Sequence, residues 1–120
     1  MATVIREADG MEEIRAITTL MTDVWGEAFL DPGICRAIQF AGGYLAGTWD
    51  GDRLIGGSLA FVGRHDGEVV LHSHATATAP GLGSQGIGLA LKWHQRRWAL
   101  AHAFAAIEWT YDPLVARNGW

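Results

Sequence analysis

The sequence predicts a single α/β domain: a mixed, mostly antiparallel sheet with one parallel βαβ crossover, in the order β-α-α-β-β-β-α-β-α. Three observations carry that prediction. Two helical patterns precede three strand-like segments joined by short Asp/Gly turns. A glycine-rich stretch, Pro80-Gly81-Leu82-Gly83-Ser84-Gln85-Gly86-Ile87-Gly88, leaves the third of these and enters the longest helical pattern of the chain. One more strand pattern follows that helix, which makes the helix a crossover.

The elements follow in order. Thr3-Val4-Ile5-Arg6-Glu7-Ala8 reads as a first strand. Asp9 is a suitable N-cap, and Glu12 three residues on completes a capping-box pattern. Ile14, Ile17, Leu20 or Met21, and Val24 recur at helical spacing until Gly26. Asp31-Pro32 opens a second helix, with Pro at the first helical position and Ile34, Ala37, Ile38 and Ala41 along one face. Tyr44 to Trp49 and Leu54 to Val62 flank Asp50-Gly51-Asp52, a hairpin turn. His65-Asp66-Gly67-Glu68 is the next turn, and Val69 to Thr78 runs into the glycine stretch. The long helix covers 85–102, with Ile87, Leu91, His94, Trp98 and Ala101 on one stripe. Phe104 to Tyr111 is a strand, and Asp112-Pro113 starts a last helix.

Composition narrows the function classes. Of 120 residues, 49% are hydrophobic and 18% charged, which is globular rather than disordered. A formal net charge of −4 argues against a dedicated nucleic-acid binder. No apolar run approaches the roughly 18 residues of a membrane span, and the first residues lack a signal core. Cys35 is the only cysteine, so no internal disulfide framework exists, and a reducing cytoplasm is the expected location. Six tryptophans read as core plugs, with ligand stacking as the alternative.

Glycine at Gly81, Gly83, Gly86 and Gly88 lets successive backbone N–H groups turn toward one point. The helix behind them adds its own free N–H groups and the positive end of its dipole. Such a loop cradles an anion, most often phosphate. Gly81-x-Gly83-x-x-Gly86 also satisfies the dinucleotide fingerprint, with Glu108 or Asp112 beyond it. That fingerprint belongs on the first strand–helix turn of a doubly wound sheet, whereas here about 80 residues precede it.

Read from Pro80, the stretch resembles the acyl-CoA pyrophosphate loop of the GNAT superfamily of acyltransferases, which follows a fourth strand and opens a third helix. Gly86-Ile87-Gly88 with Leu89-Ala90-Leu91 matches the second half of that loop. Gly83 and Ser84 stand where the family usually has Arg or Gln and Gly. The order of elements matches along the chain, and Trp109 to Leu114 with Arg117-Asn118 resembles a subset of predicted acetyltransferases. The resemblance implies a single GNAT-like domain over 1–120 that ends within its fourth helix, short of the family's last two strands. It implies transfer of an acetyl or other acyl group from acyl-CoA to a small-molecule or peptide amine, with no metal. It assigns cofactor contacts to Thr78, Gly83, Ser84, Gln85, Gly86, Ile87, Gly88 and Asn118, with the oxyanion N–H near Thr78. A non-catalytic CoA-binding or degenerate association module is the second reading.

An ammonium acceptor must lose a proton before it attacks, so a base is useful. His72 and His74 are the candidates, since alternation puts both on one strand face leading to the loop. They read also as half-buried strand histidines with hydrogen-bond partners, and less readily as two metal ligands lacking a third. Asn118 reads also as a surface polar residue, and Asp112 as a helix cap. Cys35 reads as packing, and Lys92, Arg96 and Arg97 as a solvated basic face or a contact for the adenosine 3′-phosphate. The last strand, left at a sheet edge, invites a homodimer by strand pairing.

Overall fold

The computed structural model describes residues 3–26, 31–83 and 85–109. Ser84, Asn118, the end of the expected last strand and the Asp112-Pro113 helix start lie outside the described residues. The rest follows the predicted order: β1 (Thr3–Glu7), α1 (Gly10–Trp25), α2 (Pro32–Phe40), β2 (Tyr44–Asp50), β3 (Arg53–His65), β4 (Glu68–Thr78), α3 (Ile87–Ala101) and β5 (Ile107–Glu108). The strands form one sheet in the order β1-β2-β3-β4-β5, antiparallel until β4 and β5 pair in parallel. The α/β fold class is as the sequence predicts.

Helices cover both faces of the sheet. Ile14, Ile17 and Met21 of α1 and Cys35 of α2 pack with Leu45, Leu59 and Ala77 on one face. On the other, Ala99 of α3 packs with Tyr44, Ala46, Ala60 and Leu71. Neighbouring residues such as Leu45 and Ala46, or Leu59 and Ala60, thus serve opposite layers, as strand alternation requires. The β3–β4 turn is tight because Asp66 and Gly67 both take positive φ, at 52° and 81°.

Three local expectations shift. Asp9 is the N-cap of α1 but its side chain caps nothing, and Glu13 rather than Glu12 reaches back, accepting the Asp9 N–H at 2.8 Å. Gly10 explains the shift: at φ 82° it inserts a left-handed residue and moves the reaching-back position one on. Glu13 also takes a bidentate bond from Arg6 at 2.6 and 2.7 Å, which ties β1 to α1. On α2, Ile34 is 51% exposed and Cys35 is the buried residue, with Ile38 partly buried beside it. On α3 the buried stripe is Ile87, Leu91, Gln95 and Ala99, while His94 and Trp98 are half-buried and Ala101 is exposed. Periodicity in apolar letters cannot find a buried glutamine, so the predicted stripe leans one residue off the true one.

Candidate functional site

The site begins where the sheet stops being paired. β3 and β4 stay paired from Gly56–Thr78 to His65–Glu68, but β4 meets β5 only at Leu71–Ile107 and His72–Glu108 among the described residues. Leu71 N–H donates to Ala106 O at 2.9 Å, so odd-numbered amides of this part of β4 face β5. A bulge follows: Ala60 pairs with Ser73 while Leu59 pairs with Ala75, leaving His74 as the extra residue. At the far end Ala79 N–H donates inward to Ile55 O at 2.8 Å. Alternation back from Ala79 aims the N–H groups of Thr76 and Thr78 at the open edge. The bulge therefore switches the outward set from odd to even residues, and the switch coincides with the parting of β4 from β5.

That parting opens a cleft of about 1110 Å³ between β4, α3 and the segment carrying β5. Its walls include β4 from Ser73 to Thr78, Gly83 and Gly86 of the loop, and Gly88 and Lys92 of α3. Leu89, Leu100 and Trp109 also line it, and each is more than half exposed, so its border is apolar.

The loop holds itself with two short turns. Leu82 N–H donates to Ala79 O at 3.0 Å and Gln85 N–H to Leu82 O at 3.1 Å. The Gln85 amide is thereby spent, which removes it from the expected backbone cradle, and only its exposed side chain remains available. The Gly83, Gly86, Ile87 and Gly88 N–H groups donate to no other described residue. Gly86 is the N-cap of α3 at φ 76°, a conformation that a side chain with a Cβ resists. A Cβ built on Gly83 or Gly86 would meet no described residue within 4 Å. Ile87 contributes by its amide alone, because its side chain is buried with Ile55 and Leu91.

The two histidines share one face, as alternation predicts: Phe61 stacks on His72 at 4.9 Å and lies 5.6 Å from His74. Their surroundings differ. His74 lines the cleft, whereas His72 turns to Glu108, with Nδ1 3.4 Å from Oε1. Glu108 is also 2.8 Å from His65 Nδ1, so this carboxylate joins β3, β4 and β5. Desolvation, and after it the neighbouring His72, hold His74 below the ordinary histidine range. The imidazole of His74 is therefore neutral at neutral pH and able to accept a proton. Cys35 is buried and its thiol is pushed up, chiefly by burial and then by Asp31, which fits packing rather than nucleophilic attack. No group of three His, Cys, Asp or Glu side chains that could hold a metal ion is found among the described residues.

Two cleft features escape the sequence reading. Lys92 donates from Nζ to Ser73 Oγ at 2.8 Å, rather than simply joining Arg96 and Arg97 on a solvated face. Gln95, 1% exposed, donates to Ser58 Oγ at 3.3 Å, and Ser58 bonds Thr76 Oγ1 at 3.0 Å. That chain locks α3 to β3 and β4 just below the cleft. The available signal for Ser73 is its place between two same-face histidines, which turns it to the α3 layer.

The sequence matches no protein-family model and no curated protein. Solved structures share the fold. An aminoglycoside acetyltransferase from an uncultured soil metagenomic sample, in complex with trehalose, superposes with a TM-score of 0.82 at 13% identity over 96% of this chain and 81% of that one. The aminoglycoside N-acetyltransferase AAC(6')-Iy in complex with CoA gives 0.81 at 14% identity, over 98% and 82%. A Trypanosoma brucei acetyltransferase gives 0.75 at 15% identity, over 99% and 92%.

Proposed function

We propose that this chain, which carries the GNAT fold of those acetyltransferases, moves an acetyl or other acyl group from acyl-CoA to an amine by direct attack. One observation carries the reading: the bulge at His74 turns β4 amides into the very cleft that ends at Gly83, Gly86, Ile87 and Gly88, whose amides have no acceptor among the described residues. An elongated ligand with a diphosphate at one end and amide groups along its arm fits that arrangement. The loop N–H groups and the α3 dipole would receive the diphosphate. Thr76 and Thr78 would receive the arm, and an edge amide of β4 near the bulge or Thr78 would steady negative charge on the thioester oxygen. Ser84 and Asn118 stay in the proposal as cofactor contacts on the resemblance alone.

His74 is the proposed base. It takes the proton of the attacking amine, the C–N bond forms as C–S breaks, and the thiolate leaves as CoA. His72, held by Glu108, serves as a positioning neighbour that stacks on Phe61 with it. The acceptor is an amine, small or peptidic, of the broad kind named for the aminoglycoside enzymes of the same fold. No described helix is long and apolar enough to cross a membrane, and a cytoplasmic location is part of the proposal. So is a homodimer formed through the β5 edge.

Calorimetry with acetyl-CoA, NAD and ATP tests the cofactor assignment, and thiol release with a panel of amines tests turnover. Saturable binding of acetyl-CoA alone is expected. Binding with no thiol release under any amine would favour the non-catalytic CoA module, and preference for NAD or ATP would end the acyl-CoA reading.

A further inference from the structure

Lys92 is the only lysine in the chain, and the eight other cationic side chains are arginines. An arginine guanidinium stays charged, whereas a lysine amine can become neutral and nucleophilic. This single lysine lies in the wall of the cleft. Its Nζ is anchored 2.8 Å from Ser73 Oγ, and Ser73 is the residue immediately before the bulge where β4 parts from β5. Ser73 is 5% exposed, so the hydroxyl forms a fixed support rather than a mobile surface contact. No carboxylate lies within ion-pair distance of Lys92 among the described residues. Although the side chain is exposed in part, desolvation of its ammonium holds the pKa below the ordinary lysine value, and no anion among the described residues offsets it. An ammonium held by a neutral hydroxyl loses its proton more readily than one held by a carboxylate.

We propose that Lys92 is an internal acyl acceptor: its amine takes the acyl group from acyl-CoA held in the cleft and becomes an Nε-acyl-lysine. The inference rests on the acyl-CoA reading above. The neutral Nζ attacks the thioester carbonyl, the C–N bond forms, the C–S bond breaks, and CoA leaves as a thiolate. The proton shed by nitrogen passes to that thiolate through solvent. The amide product is stable, so the event occurs once per chain and removes the only lysine charge. Proximity supplies the rate, since the amine and the thioester share one cavity.

The test incubates the intact protein with acetyl-CoA and follows its mass, with tryptic mapping to locate the label. Native protein should gain one acetyl group at Lys92, lose tryptic cleavage after that residue, and keep its N-terminal amine largely unmodified. Urea-unfolded protein should label at Lys92 at least tenfold more slowly. Lys92→Arg should abolish the label, and Ser73→Ala should slow it severalfold. Equal labelling of native and unfolded chains would overturn the proposal, as would an unlabelled Lys92 in protein whose melting temperature rises with CoA. Absence of that rise would instead bring down the acyl-CoA reading itself, and the acceptor role of Lys92 with it.

Discussion

The two flanks of β4 are built on opposite plans. Toward β3 it is paired along its length except at His74, and the β3 residues from Ile55 to Ala60 are buried between the helix layers. Toward β5 it is paired at two positions among the described residues, and β4 beyond them lines a cavity. The first flank is where stability resides, because apolar area and ladder hydrogen bonds are both satisfied there. The second leaves backbone groups without a partner among the described residues, which a stable sheet does not ordinarily tolerate. One residue inserted at His74 divides the two regimes.

That contrast can be broken from either side. The largest expected effect is on chemistry: His74→Ala should lower kcat/KM by about 10²–10⁴ with little change in melting temperature, as followed by thiol release and thermal unfolding. In the parent protein the acid limb of the pH profile should have its midpoint below about 6.5, because the His74 pKa is lowered. Below that midpoint the base is protonated and activity falls. The same depressed value makes the unfolded chain bind the proton first, so His74 withdraws stability as pH falls through the ordinary histidine range. A profile flat through that range would remove the base assignment.

Next in size is Leu59→Ala on the paired flank, where Leu59 is 1% exposed. It should cost about 2–5 kcal/mol of stability in denaturant titration, while acyl-CoA affinity of the folded fraction stays the same. A loss of affinity comparable to the loss of stability would show that the two flanks are one unit. Gly86→Val is smaller and inverse in kind. Its φ of 76° and empty surroundings predict about 1–2 kcal/mol of backbone strain, with acyl-CoA binding weakened far more than fold. The smallest effect belongs to Glu108→Gln, which loosens contacts to His65 and His72 and should cost below about 1 kcal/mol. Its signature would be faster amide exchange near Ile107 rather than a shifted melting curve.

Legibility differs between the same two regions. Turn chemistry and alternation place β2, β3 and β4 within a few residues, because Asp50-Gly51-Asp52 and Asp66-Gly67 admit few other conformations. The glycine loop between β4 and α3 is likewise legible in the sequence. Its hydrogen bonds are not: that Gln85 spends its amide on Leu82 depends on how the loop folds back. The bulge leaves no mark in the letters around His74, since it arises from the mismatch of β3 and β4 rather than from either strand. Ser73 and Lys92 are read separately as a strand hydroxyl and a surface cation, and only the packing of α3 on β4 makes them neighbours. Gln95 escapes for a related reason. Its burial is permitted by Ser58 and Thr76, which lie far away in sequence.

By itself, then, the chain determined its element order, its turns, most of the layers its apolar positions serve and the glycine-rich loop that opens α3. These depend on local dihedral preference and on periodicity, which a linear string carries in full. Tertiary structure alone decided where β4 leaves β5, which amides remain unspent, and which histidine faces the cavity. Those outcomes depend on register between strands and on which donors other carbonyls have already claimed, and such claims are settled only when distant segments meet.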